Sequence, residues 1–146
     1  MELQIKKLDQ NATLPTYGSD DAAGMDLHAL LDNETLEIKP HETQFIHTGI
    51  AMAIPKGYVG LLFARSGLAC KSGLAPANKV GVIDADYRGE IIVALHNHTD
   101  ETKVINNEDR IAQLVLVPYL TAELTEVNEL PDTVRGEGGF GSTGTN

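Results

Sequence analysis

Cysteine is almost absent from this chain: Cys70 is the only one in 146 residues. A single thiol excludes an internal disulfide framework and any multi-cysteine zinc or iron–sulfur centre. Long apolar runs are missing as well. None approaches the ~18 residues of a membrane span, and the opening MELQIKKLDQ has no apolar core of signal-peptide length. The sequence therefore predicts a soluble, cytoplasmic protein. Basic residues are scarce, with Lys+Arg 11 against Asp+Glu 21, a formal net charge of −10 and a pI near 4.8. That balance argues against binding nucleic acid through a general basic face, because such binding neutralises many phosphates. It leaves room for a small anionic ligand wherever a few cations and free backbone N–H groups converge.

What is present is the composition of an ordinary globular domain, 42 % hydrophobic and 22 % charged. At this length a chain buries about 68–70 % of its unfolded surface, enough for a real core. Short alternating stretches rich in Val, Ile and Leu recur between turn residues. Leu36-Glu37-Ile38 ends at Pro40, Phe45 to Ile54 ends at Pro55, and Tyr58 to Phe63 follows Lys56-Gly57. Glu90 to Leu95 runs up to Asn97, and Ile111 to Val117 ends at Pro118. Each has strand length, and no window carries an amphipathic helix of ten or more residues. One short helix is expected over Ser66 to Lys71, with Ser66 as its N-cap. The pattern predicts an all-β sandwich or barrel, with residues 1–134 as the β-rich domain and no linker before residue 131. Residues 135–146 hold five glycines and cannot form a core element; they read as a mobile tail.

Two phosphate motifs in that tail fail on context. Gly136-x-Gly138-x-x-Gly141 resembles a dinucleotide fingerprint, but only five residues follow Gly141 and no helix can receive a pyrophosphate. Gly136-x-x-x-x-Gly141 is followed by Ser142-Thr143 without the lysine of a P-loop. What remains is a segment carrying Arg135, Phe140, Ser142 and Thr143, the guanidinium, aromatic face and hydroxyls that grip a phosphate and cover a base, or else a frayed end.

Three further segments carry polar chemistry. Ala64-Arg65-Ser66-Gly67-Leu68-Ala69 joins a strand to the short helix, and an arginine beside free N–H groups suits a phosphate; an ordinary helix cap reads the same. Gly81-Val82-Ile83-Asp84-Ala85-Asp86-Tyr87-Arg88-Gly89 reads as a strand entering a turn. A carboxylate there can orient and deprotonate a water, and Tyr87 offers a flat surface to a sugar; a solvated polar turn is the alternative. His96-Asn97-His98 can present two imidazoles on one strand face, short of the three or four ligands zinc needs, and reads as surface histidines. Cys70 reads as a packed or idle thiol.

Together these segments resemble the trimeric deoxyuridine triphosphate nucleotidohydrolases (dUTPases). Five motifs stand in that family's order: Ala23-Gly24-Met25-Asp26-Leu27, Arg65 to Ala69, Gly81 to Gly89, Asp109-Arg110-Ile111-Ala112-Gln113, and the tail from Arg135 to Gly144. The resemblance implies a distorted jelly-roll subunit with one short helix, a homotrimer with active sites shared between chains, and no direct binding to nucleic acid or membrane. It implies hydrolysis of dUTP to dUMP and pyrophosphate with Mg2+, which keeps uracil out of DNA and supplies dUMP for thymidylate synthesis. On the matching positions, Asp84 would activate the water that attacks the α-phosphorus. Mg2+ would be held by the triphosphate and met by Asp26 only through its waters. Arg65, the Ser66 hydroxyl, the Ser66–Gly67 backbone and Gln113 would position the phosphates. Asn78 and the backbone around Val82 and Ile83 would read uracil, and Tyr87 would lie under the deoxyribose. The tail would close as a lid, with Phe140 on the uracil ring, Arg135, Ser142 and Thr143 on the γ-phosphate, and Gly141 among the substrate-binding residues.

Two rivals predict different products. A dCTP deaminase shares the fold, but Ala94 stands where its resemblance places the deaminating glutamate, and a methyl group transfers no protons. A non-enzymatic β-sandwich binding or capsid-type module accounts for the strands and the charge and leaves the Arg-, Asp- and Phe-bearing loops unexplained.

Overall fold

A computed structural model describes residues 1–139. Twelve strands and one helix follow in order: β1 (Gln4–Lys7), β2 (Thr16–Tyr17), β3 (Met25–His28), β4 (Thr35–Ile38), β5 (Thr43–His47), β6 (Ile50–Ala53), β7 (Tyr58–Phe63), α1 (Ser66–Ser72), β8 (Leu74–Pro76), β9 (Gly81–Ile83), β10 (Ile92–Asn97), β11 (Lys103–Asn106) and β12 (Arg110–Pro118). All the ladders are antiparallel. They form a five-stranded sheet in the order β2-β3-β12-β7-β9, a three-stranded sheet β5-β10-β8, and the pairs β1-β6 and β11-β4.

The sheets share one core because successive strand residues point to opposite faces. In β10, Val93, Leu95 and Asn97 are fully buried while Ile92, Ala94 and His96 turn outward. Leu27 from β3, Ile38 from β4, Ile46 from β5, Ile50 from β6, Ile105 from β11 and Leu114 from β12 meet Val93 and Leu95 in a single apolar cluster. Each such side chain contributes about 1.5–3 kcal/mol on burial. Asn97 is the polar member. Its amide donates to the carbonyls of Ile38, Lys39 and Glu101, and its Oδ1 accepts from the Thr99 backbone and hydroxyl, so nothing polar is left unmatched.

The structure departs from the sequence reading in two places. Phe45 to Ile54 is two strands, broken at Thr48-Gly49, where Gly49 has φ +66°. Any Cβ there would meet Leu30 and come within 2.8 Å of Ala12, so the corner needs glycine. Arg65 rather than Ser66 is the N-cap of α1, with no side-chain capping bond, and Ser66 is the first helical residue. Of the two readings of Cys70, its exposure fits the idle thiol and not the packed one. His96 and His98 do meet edge to face, 4.5 Å between ring centres, and His96 Nδ1 is tied to the Thr43 hydroxyl at 2.8 Å; among the described residues they belong to no group of three metal-ligating side chains.

The last strand ends at Pro118. Residues 119–139 follow without a helix or strand, and Leu120, Leu124, Leu130 and Val134 are almost fully exposed.

Candidate active site

The first polar cluster is built on the five-stranded sheet. Asp26 is 7 % exposed in β3, and Gln113 of β12 lies directly across the ladder from it. Arg110 belongs to the same strand three residues earlier, and an odd separation would put it on the opposite face. A bulge corrects this: the register slips between Arg110 and Ala112, leaving Ile111 as the extra residue. Arg110 is then paired with His28 and Gln113 with Asp26, two residues on one face of β3. The result is a clamp. Arg65 Nε donates to Asp26 Oδ1 at 2.7 Å and Arg110 Nη1 donates to Oδ2 at 3.1 Å. Arg65 also reaches the Arg110 carbonyl at 3.3 Å, and Gln113 donates its amide to the Ala64 carbonyl at 2.9 Å. Two guanidinium groups against one carboxylate leave a net positive charge, and half of the Arg110 side chain faces solvent. That is a local attraction for an anion on an acidic protein. Ser66 and Gly67 stand exposed beside Arg65 at the start of α1.

The second cluster is the turn after β9. The Tyr87 N–H donates to the Asp84 carbonyl at 3.1 Å, and Arg88 Nη1 donates to the carbonyls of Ala85 and Tyr87 at 2.7 and 2.8 Å, so the arginine staples its own turn. This explains how an exposed acidic loop is held in one shape. Against it lies a cavity of about 430 Å³ lined by Asn78, Val82, Ile83, Asp84 and Tyr87. Five residues expected from the sequence to touch one ligand therefore line one concave surface. Asp84 is exposed at its rim, and Tyr87 is 46 % exposed.

Sequence reasoning passed over several groups here. Phe45, Glu90 and Ile92 also line the cavity, and Ala94 contributes a methyl group to it. Phe45 and Ala94 are neighbours only through the β5–β10 pairing, which no local pattern reveals. Arg110 was visible as part of a motif, but its pairing with Asp26 depends on the bulge.

None of Asp26, Arg65, Ser66 or Gln113 lines that cavity. Within one chain, β3 and β9 are separated by β12 and β7, three strand spacings, which is about 14 Å at the usual ~4.8 Å each. Arg135 is exposed and turns back on itself, donating from Nε to the Gly138 carbonyl at 2.8 Å. Phe140, Gly141, Ser142 and Thr143 lie outside the described residues.

Known proteins with the same features are numerous. A sequence model of the dUTPase family matches residues 10–144. The deoxyuridine 5'-triphosphate nucleotidohydrolase of Nautilia profundicola is 52 % identical over 144 residues, covering 99 % of both chains. That of Syntrophotalea carbinolica is 50 % identical, over 97 % of this chain and 96 % of its own. Among solved structures, the dUTPase of Staphylococcus bacteriophage 80alpha with dUPNHPP superposes with a TM-score of 0.89 at 35 % identity, covering 99 % of each chain. A mutant dUTPase from phage phi11 of S. aureus, known for the coordination of a structural Mg(II) ion, gives 0.81 at 32 % identity, over 90 % of this chain and 100 % of its own. Matched by the family's model over residues 10–144 and half identical to full-length relatives, this chain belongs to the dUTPase family.

Proposed function

We propose that this dUTP diphosphatase splits dUTP into dUMP and pyrophosphate by water attack on the α-phosphorus, with Asp84 as the general base. The observation that carries the reading is the common cavity of Asp84, Asn78, the Val82–Ile83 backbone and Tyr87. It sets a base-reading amide, a flat ring for the sugar and a free carboxylate around one small ligand. Uracil offers one N–H between two carbonyls, and an asparagine with backbone groups matches that pattern; cytosine presents the wrong donors and thymine adds a methyl. Tyr87 under the deoxyribose excludes a 2′-hydroxyl by contact. Asp84 accepts the proton of the attacking water, and pyrophosphate leaves from the far side of phosphorus.

The phosphates would rest on the Asp26 clamp: Arg65, the Ser66 hydroxyl, the Ser66–Gly67 backbone and Gln113. Mg2+ fits this arrangement as part of the nucleotide. The clamp offers one carboxylate, and among the described residues no three His, Cys, Asp or Glu side chains converge to hold a metal. Such a donor set suits a hydrated ion already bound by phosphate oxygens, with Asp26 facing its waters. When bound, Mg2+ neutralises charge on the phosphates.

Within one chain the Asp84 cavity is lined by none of Asp26, Arg65, Ser66 or Gln113, which supports a homotrimer whose sites combine the two clusters from different subunits. The exposed leucines of residues 119–134 are apolar surface that a neighbouring subunit would cover. The tail, with Arg135, Phe140, Gly141, Ser142 and Thr143, would close over the nucleotide. The described residues contain no helix long and apolar enough to cross a membrane, and a substrate from the DNA-precursor pool supports a cytoplasmic enzyme.

The test is product analysis with dUTP, UTP, dCTP and dTTP, with and without Mg2+. Pyrophosphate from dUTP alone, dependent on Mg2+, is expected. Ammonia from dCTP would favour a deaminase, and no turnover of any nucleotide would leave a binding module.

A further inference from the structure

The segment that follows the Asp84 turn is fastened to the corner between β5 and β6, and the fastening begins at Glu90, three residues after Tyr87. Glu90 Oε1 accepts the Gly49 N–H at 2.8 Å, and Oε2 is 2.8 Å from His47 Nδ1. The buried Thr48 hydroxyl donates to the Ile91 carbonyl at 2.5 Å, and the Ile91 N–H donates to the Ile50 carbonyl at 2.9 Å. Four bonds thus join Glu90-Ile91 to the β5–β6 corner. Glu90 has a second role through its backbone: its carbonyl accepts the Tyr87 hydroxyl at 3.0 Å.

That last bond is the only hydrogen bond of the Tyr87 side chain among the described residues. The ring is otherwise half in solvent and lies over Gly89, where a Cβ would come within 2.6 Å of Cζ. An aromatic side chain held by one polar contact keeps its rotamer only if the acceptor itself is fixed. Among the described residues, Glu90 is the only residue of the turn and its exit strand whose side chain hydrogen-bonds the corner, and it is mostly buried, with 22 % of its side chain exposed. Burial raises a carboxyl, yet the His47 bond, the Gly49 N–H and the imidazole charge outweigh it and hold Glu90 below its usual range.

We propose that Glu90 is the positioning residue for Tyr87: its carboxylate locks the β5–β6 corner to the exit of the Asp84 turn and so fixes the carbonyl that holds the tyrosine ring. The consequence for discrimination between deoxyribose and ribose rests on the reading of Tyr87 given above; the consequence for the position of the ring does not. Glutamine should substitute, since its carbonyl oxygen accepts from Gly49 and its amide donates to a neutral imidazole nitrogen. Alanine reaches neither partner.

The experiment compares kcat/KM for dUTP and UTP in the full-length protein and in Glu90→Gln, Glu90→Ala and Tyr87→Ala, together with a crystal structure of Glu90→Ala. Loss of a hydrogen-bonded anchor of ordinary strength predicts a preference for dUTP reduced about fivefold to tenfold in Glu90→Ala. Glu90→Gln should keep the preference, and the Tyr87 ring in Glu90→Ala should have left Gly89. A ring still lying on Gly89 in Glu90→Ala overturns the proposal. So does an unchanged preference in Glu90→Ala beside a reduced one in Tyr87→Ala. If Tyr87→Ala itself keeps the full preference, the sugar reading fails, and the ring position in Glu90→Ala still decides the role of Glu90. Should Glu90→Ala not fold, Glu90→Asp, one methylene short of Gly49, is read by the same two measurements.

Discussion

Gln113 occupies the space that Gly24 leaves open: a Cβ on Gly24 would lie 2.6 Å from Gln113 Oε1. The carboxamide is pinned there by its bond to the Ala64 carbonyl, one residue before Arg65. The glycine of the first motif is thus what lets the glutamine of the fourth stand beside the clamp. Only the end of a flexible side chain is in the way, so Gly24→Ala should leave the fold nearly as stable and displace Gln113. A lost hydrogen bond to a charged phosphate is worth about 1.5–3 kcal/mol, so kcat/KM for dUTP should fall roughly tenfold or more with the melting temperature nearly unchanged. Wild-type kinetics in Gly24→Ala would remove Gln113 from the phosphate site.

Asp84→Asn preserves the shape of the turn, because the bonds that hold it run through the Asp84 carbonyl and through Arg88. Binding of a non-hydrolysable dUTP analogue should persist while turnover falls by about 10²–10⁴-fold, the usual contribution of a positioned general base. Single-turnover kinetics beside calorimetric titration separate the two effects. Near-normal turnover in a folded Asp84→Asn protein would assign the base elsewhere.

Sharing of sites between subunits predicts complementation. Asp84→Asn protein and protein lacking residues 135–146 should each be inactive. Mixed by unfolding and refolding together, they should recover part of the activity, because some junctions then receive an intact Asp84 and an intact tail from different chains. Mixed oligomers proven by mass spectrometry but without activity would argue for sites within single chains.

Acid should loosen the corner that Glu90 fastens. Glu90 is held below its ordinary value near 4.5 by the His47 and Gly49 bonds despite partial burial. A carboxylate lowered on folding stabilises the protein above its unfolded value, and that contribution disappears as pH falls through the lower, folded one. Thermal melts from about pH 6 down to about pH 3 should show wild type losing stability relative to Glu90→Gln, which has no proton to take up there. Parallel curves for the two proteins would mean that the Glu90 carboxylate adds nothing to the fold.

Much of this was legible in the chain. Alternation marked β7, β10 and most of β12, since a strand with one buried face must repeat every two residues. Asn78, Val82, Ile83, Asp84 and Tyr87 share a cavity because ten consecutive residues make one loop, one strand and one stapled turn, and local geometry suffices to gather them. The break at Gly49 was less visible: Phe45-Ile46 and Ile50 to Ile54 are both apolar, and only the crowding of Ala12 and Leu30 shows why the corner must hold glycine.

The amino-acid sequence by itself determined that stretches such as β7, β10 and β12 become strands and which side chains crowd the Asp84 turn, because those depend on neighbours within a few residues. Only the tertiary structure decided that Arg110 clamps Asp26 from 84 residues away and that Glu90 anchors the tyrosine turn to a corner 41 residues earlier. Such contacts follow from strand order and from a one-residue slip at Ile111. Pairing partners are chosen by closing long loops over a common core, and no local period records that choice.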